Sequence, residues 1–117
     1  GSKRGSTTLE MLQAAGLPED VHRQLVAEVA GDIAARLYDI DGRPIDHGWD
    51  DRIVGLNLEQ IRRIPQVIGV AAGAGKALGV IGAVRGGFIN ELVVSSSCAL
   101  AVVRQLDSEA GSAAARK

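Results

Sequence analysis

From Pro18 onward, apolar residues recur at helical spacing: PEDVHRQLVAEVAGD sets Val21, Leu25 and Val29 four apart on one face. Glu19 and Asp20 stand in the first turn, near the positive end of the dipole, and the pattern predicts a helix ending near Gly31. The next stretch, DIAARLYDIDGRPI, alternates and then meets Asp41-Gly42, a pair that tolerates positive φ and predicts a tight corner over 39–44 between extended segments. DRIVGLN then reads as a short buried strand. LEQIRRIP places Leu58, Ile61 and Ile64 at helical spacing before Pro65 stops the helix.

The most regular part follows. QVIGVAA predicts a strand, GAGKALGVIGAVRGG a helix bounded by glycines, INELVVS a second strand and SSCALAVVRQLDSEA a closing helix capped by serine. Strands joined by a helical crossover of about fifteen residues run parallel, because a hairpin needs only a short loop. The expected fold is therefore α/β, a parallel sheet with flanking helices. Such sheets are covered on both faces and built from two halves, and this chain supplies roughly four strands, so it reads as half of a larger Rossmann-like domain.

Composition narrows the function. The 117 residues hold 13 Lys plus Arg against 14 Asp plus Glu, and the scattered basic residues make no stripe that would track a phosphate backbone. One cysteine and two histidines form no cluster at metal-ligand spacing, so no structural zinc, metal or cofactor is expected, and a reducing cytoplasm fits. The weakly polar run from Val67 to Val84 is interrupted by glycines and Lys76, so no membrane span is expected. Gly1-Ser2 is the kind of dipeptide a cloning vector leaves, and residues 1–8 and 110–117 are expected to be disordered.

Lys76 is the best site signal: it ends a predicted strand in a glycine-rich turn that opens a helix, where parallel α/β sheets bind ligands. Backbone N–H groups and an ammonium there suit a phosphate or a sugar hydroxyl, although a solvated first-turn lysine is the plain alternative. GVAAGAGKA is not a nucleotide-binding P-loop, since Val70 and Ala77 occupy positions that need glycine and Ser or Thr. Leu78 likewise breaks the dinucleotide fingerprint. Asp32 lies at a helix-to-strand junction, where a carboxylate can accept two sugar hydroxyls or simply cap a turn.

Asp39, Asp41, Asp46, Asp50 and Asp51 lack calcium-loop spacing and read as a solvated loop. His47 and Trp49 read as an anchor of that loop onto the core or a subunit interface, in preference to a stacking platform for a sugar. Neither His22 nor Cys98 has a catalytic neighbour in sequence, so an enzyme is not expected. Arg85-Gly86-Gly87 reads as a helix end with a left-handed glycine cap.

Three blocks, GDIAARLYDIDGRPI (31–45), DDRIVGLNLEQIRRIPQVIGVAAGAGKA (50–77) and AVRGGFINELVV (83–94), resemble in order and spacing the C-terminal half of the sugar-binding domain of SorC-type transcriptional regulators. The likeness covers roughly residues 9–106, leaving 9–109 as the expected folded portion. It implies a ribose-phosphate-isomerase-like, Rossmann-related domain that binds a phosphorylated sugar and changes the DNA affinity of a helix-turn-helix domain outside this chain. It also implies an effector pocket to which Asp32, Ala34 and Lys76 contribute, Ala34 through its backbone. Two positions depart from the family: Gly75 stands where an acidic residue is usual, and Ser95-Ser96-Ser97 where Thr-Asp-Glu is usual. An isomerase-like enzyme and an assembly-only module, as part of a dimer or tetramer, are the alternatives on the same scaffold.

Overall fold

The computed structural model describes residues 7–115. In chain order the elements are α1 (Thr7–Ala14), α2 (Glu19–Glu28), β1 (Gly31–Ile33), β2 (Arg36–Tyr38), α3 (Leu58–Arg62), β3 (Ile68–Ala71), α4 (Ala77–Arg85), β4 (Glu91–Val94) and α5 (Ser96–Ala115). Single turns of 3-10 helix lie at Asp50–Arg52 and Ala74–Lys76.

The expected strand-helix-strand-helix unit is present, and β3 pairs with β4 in parallel, Ile68 opposite Glu91 and Ala71 opposite Val94. The chain thus forms a small parallel sheet with flanking helices. Ser95 caps α5: its hydroxyl accepts the Cys98 N–H at 3.3 Å and the Gly73 N–H at 2.9 Å, so one side chain closes the helix and ties down the β3–α4 loop. Asn57 and Gln60 form a reciprocal capping box at the start of α3. Gly87 at φ +71° follows α4, as its place after Arg85 and Gly86 leads one to expect.

The corner over 39–44 forms as expected: Asp39 Oδ1 accepts the Asp41 and Arg43 N–H groups, and Tyr38 bridges Pro44. A second reversal was not legible. β1 and β2 form an antiparallel hairpin, Ile33 opposite Arg36, closed by Ala34 and Ala35 at φ 50° and 65°. A two-residue loop matching strand twist needs positive φ at both positions, where Asn-Gly is the usual signal. Two alanines carry no such mark.

The strand expected at DRIVGLN is corrected. Asp50–Arg52 is a 3-10 turn, Gly55 sits at φ +150° and Val54 is fully exposed at 103 %. The physical reason is Arg36, whose buried guanidinium donates to the carbonyls of Asp50, Ile53, Gly55 and Leu56 and pairs with the Asp50 carboxylate at 3.1 Å. An arginine takes the acceptors that a neighbouring strand would otherwise use.

The ends differ from expectation too. α1 begins at Thr7, and α5 continues as helix through 110–115, the stretch expected to be disordered. Four alanines there supply high helix propensity without any apolar stripe. The expectations for 1–6 and 116–117 lie outside the described residues.

β2 is buried on both faces and stands between two apolar clusters. Leu37 joins Leu9, Leu12, Leu17, Leu25 and Val29, while Tyr38 joins Leu58, Ile61, Ala83 and Phe88. Adjacent strand residues point to opposite sides, so two neighbouring side chains hold the two halves of the core. Trp49 packs against the first cluster and His47 is buried beneath the loop, its Nδ1 accepting the Trp49 N–H at 3.2 Å. That pair anchors the loop onto the core.

Candidate functional site

The parallel strands, the β1–β2 hairpin and α4 bound a cleft of about 380 Å³. Asp32 and Ile33 come from β1, Gly69 to Ala72 from β3 and its end, and Lys76, Gly79, Val80 and Ala83 from the turn and helix that follow. The sequence separates Asp32 and Lys76 by 44 positions, and the fold brings both to one cleft.

Each side chain has a local reason for its place. Lys76 closes the Ala74–Lys76 turn, its N–H bonded to the Gly73 carbonyl at 3.2 Å, and stands at the start of α4 half-buried. Gly73 at φ +91° permits the chain to turn sharply off the end of β3. Asp32 is half-buried on β1 and accepts the Thr8 hydroxyl at 3.0 Å, which docks the start of α1 beside the site. On the opposite wall Ile89 and Leu92 lean toward Gly69, whose missing side chain leaves the room they occupy.

Ala34 sits elsewhere in detail. It is exposed at the tip of the β1–β2 hairpin, two residues from Asp32, and is not among the residues lining the cleft.

Tyr38 was missed by sequence reasoning. It lines the cleft, is 2 % exposed and donates its hydroxyl to the Gly79 carbonyl at 2.8 Å. Burial first, and then the Asp32 carboxylate, push its hydroxyl well above the ordinary tyrosine value, so the group stays a donor. The available signal was the pair Gly79 and Gly82 one turn apart on α4, a gap that a large neighbour could fill. Thr8 had no such signal beyond the Leu9 and Leu12 spacing that marks α1 as amphipathic.

Residues 5–104 match the family described as "Putative sugar-binding domain". The chain is 37 % identical over 71 residues to the sorbitol operon regulator of Klebsiella pneumoniae, covering 61 % of this chain and 22 % of that protein. It is 36 % identical over 75 residues to the transcriptional regulator LsrR of Escherichia coli, covering 63 % of this chain and 24 % of that one. The corresponding domain of a transcriptional repressor from Vibrio fischeri superposes with a TM-score of 0.73 at 29 % identity, over 86 % of this chain and 41 % of that chain. This chain thus spans about a quarter of the length of the curated regulators it matches. A family match over most of the chain, together with the superposition on a solved relative, shows that it belongs to the sugar-binding domain family of SorC-type transcriptional regulators.

Proposed function

We propose that this chain is the C-terminal portion of an effector-sensing domain, residues 9–109, that binds a phosphorylated sugar in the cleft between β1, β3 and α4. The observation that carries the reading is the meeting of Asp32 and Lys76 in one cleft at the C-terminal end of a parallel strand. Asp32 would accept sugar hydroxyls and Lys76 would donate to a phosphate or a hydroxyl, with apolar walls at Val80, Ala83, Ile89 and Leu92 against the C–H face of the ring. Ala34 would contribute only through its backbone at the hairpin tip.

Binding shifts populations without making or breaking a bond, biasing subunit arrangement in a cytoplasmic homo-oligomer and so altering DNA affinity of a helix-turn-helix domain elsewhere in the polypeptide. An unfinished surface supports a covered setting: Ile68 and Val93 on the sheet and Leu100, Val103 and Leu106 on α5 are all at least 41 % exposed. No described helix is long and apolar enough to cross a membrane.

A thermal-shift screen of sugar phosphates tests the reading on the native chain, Lys76→Ala and Asp32→Ala. The native chain is expected to be stabilised by at least one sugar phosphate, with loss of most of the shift in both variants. Equal shifts in all three would remove the site assignment, and turnover of ribose 5-phosphate would move the protein to the enzymes.

A further inference from the structure

Tyr38 touches both walls of the cleft through different parts of its side chain. Its strand β2 pairs with β1, so Gly31 faces Tyr38 and Asp32 faces Leu37 across the hairpin. Its hydroxyl reaches the Gly79 carbonyl at 2.8 Å, three residues beyond Lys76 in the first turn of α4. Its ring lies where a Gly82 side chain would be: an added Cβ there would stand 2.9 Å from Tyr38 Cδ2 and Cε2 and 2.6 Å from the Asp39 carbonyl. The ring also meets Phe88, centroids 5.5 Å apart, which fixes its tilt.

Gly82 leaves the room for the ring and the Gly79 carbonyl receives the hydroxyl, so one turn of α4 seats the phenol, and the hydroxyl is its polar link to the helix. The phenol's other contacts are apolar and tolerate sliding, and the Arg85 bond to the Ile40 carbonyl is long at 3.4 Å and lies at the far end of α4, whereas the bond to the Gly79 carbonyl sets direction as well as distance beside Lys76. We propose that Tyr38 is a positioning residue for the effector cleft, its hydroxyl bond to Gly79 holding the Asp32 hairpin and the Lys76 turn at one separation. This rests on the sugar-phosphate reading for its ligand, but not for its geometry.

The test is Tyr38→Phe, which keeps the ring on Gly82 and against Phe88 and deletes only the hydroxyl. Nitroxide labels at Ala34→Cys and Gly75→Cys, both exposed, report the separation of hairpin tip and lysine turn, while Cys98 is fully buried. In the full chain the distance distribution is expected to broaden on Tyr38→Phe at a temperature where circular dichroism shows both forms fully folded. For ribose 5-phosphate and sorbitol 6-phosphate as probes, the unlabelled Tyr38→Phe chain is expected to bind whichever the native chain binds with a Kd about fivefold to tenfold higher, the share of one well-placed hydrogen bond.

A purely structural role would lower the melting temperature and leave folded-state distances and affinity unchanged, and that result overturns the proposal. Broadening without binding of either probe by the native chain upholds the clamp and counts against the sugar-phosphate reading. Binding by the native chain with an unchanged distribution and equal Kd in Tyr38→Phe sinks the clamp and leaves that reading standing.

Discussion

Two residues decide more than their neighbours, and the first is Arg36. It is 8 % exposed, and its guanidinium serves four backbone carbonyls and one carboxylate, of which, among the described residues, only the Asp50 groups have a second neighbour, the Ile53 N–H at 3.1 Å from the carbonyl and His47 Nε2 at 3.6 Å from the carboxylate. Truncation leaves the Ile53, Gly55 and Leu56 carbonyls without that donor and Asp50 without its arginine, and loss of one partner from a buried polar network costs far more than the network's net worth. Arg36→Ala is expected to lower stability by about 2–4 kcal/mol, read as a drop in the urea midpoint. A change under about 0.5 kcal/mol, the size expected of a surface substitution, would show that loop 46–57 does not need it.

Tyr38, the second, is the only tyrosine in the chain, so an ultraviolet titration reads it alone. Its folded-state pKa is raised above the ordinary value of 10.0, by burial and then by Asp32. The native state therefore holds the proton more tightly than the unfolded state does. The sign follows from linkage: this contribution is fully present below about pH 10 and is lost as pH rises above it, when the unfolded chain ionises. Tyrosinate absorbance is expected to emerge together with unfolding, and emergence near the ordinary value with circular dichroism unchanged would contradict the buried placement.

At the scale of elements, the close approach of β2 and α4 reverses an ordinary rule. Gly→Ala inside a helix usually stabilises by about 0.5–1 kcal/mol, because glycine loses more backbone entropy on folding. At Gly82 the new methyl would press on the Asp39 carbonyl and the Tyr38 ring, so Gly82→Ala is expected to destabilise by about 1–3 kcal/mol. Gly111 on α5 has nothing within 4 Å of an added Cβ, so Gly111→Ala is expected to raise stability by about 0.5–1 kcal/mol. Opposite signs in thermal melts confirm the packing, and equal signs refute it. The hairpin offers a third change: Ala34-Ala35→Asn-Gly puts residues suited to positive φ at the tip and is expected to stabilise by about 1 kcal/mol.

For the molecule as a whole, the balance between covered and uncovered apolar surface is the telling feature. α5 has twenty residues and buries only Cys98, while Ile68 and Val93 project from the same face of the two-stranded sheet. Exposed apolar surface of this kind is a standing drive toward association. Sedimentation of the 117-residue chain is expected to depend on concentration, and Ile68→Lys with Val93→Lys to shift it toward monomer without lowering the melting temperature. A strictly monomeric native chain at high concentration would show that these residues are not sticky in this setting.

Periodicity in the sequence sufficed for α2, α3, α4 and α5 and for the parallel pair, because a helix face and a crossover length are local properties of the chain. Lys76 was legible for the same reason: a lysine between a strand and a glycine-opened helix can be placed from its immediate neighbours. The tertiary structure alone decided the rest. Ala34-Ala35 takes a turn its composition does not favour, because the flanking strands pair and are buried. DRIVGLN is no strand, because a distant arginine uses its carbonyls. Tyr38 lines the cleft because Gly82, 44 positions on, lets a helix close over its ring, and the Gly79 carbonyl accepts its hydroxyl. Local propensity is written in adjacent residues, whereas the pairing of acceptors, the filling of gaps and the meeting of Asp32 with Lys76 depend on which segments come together.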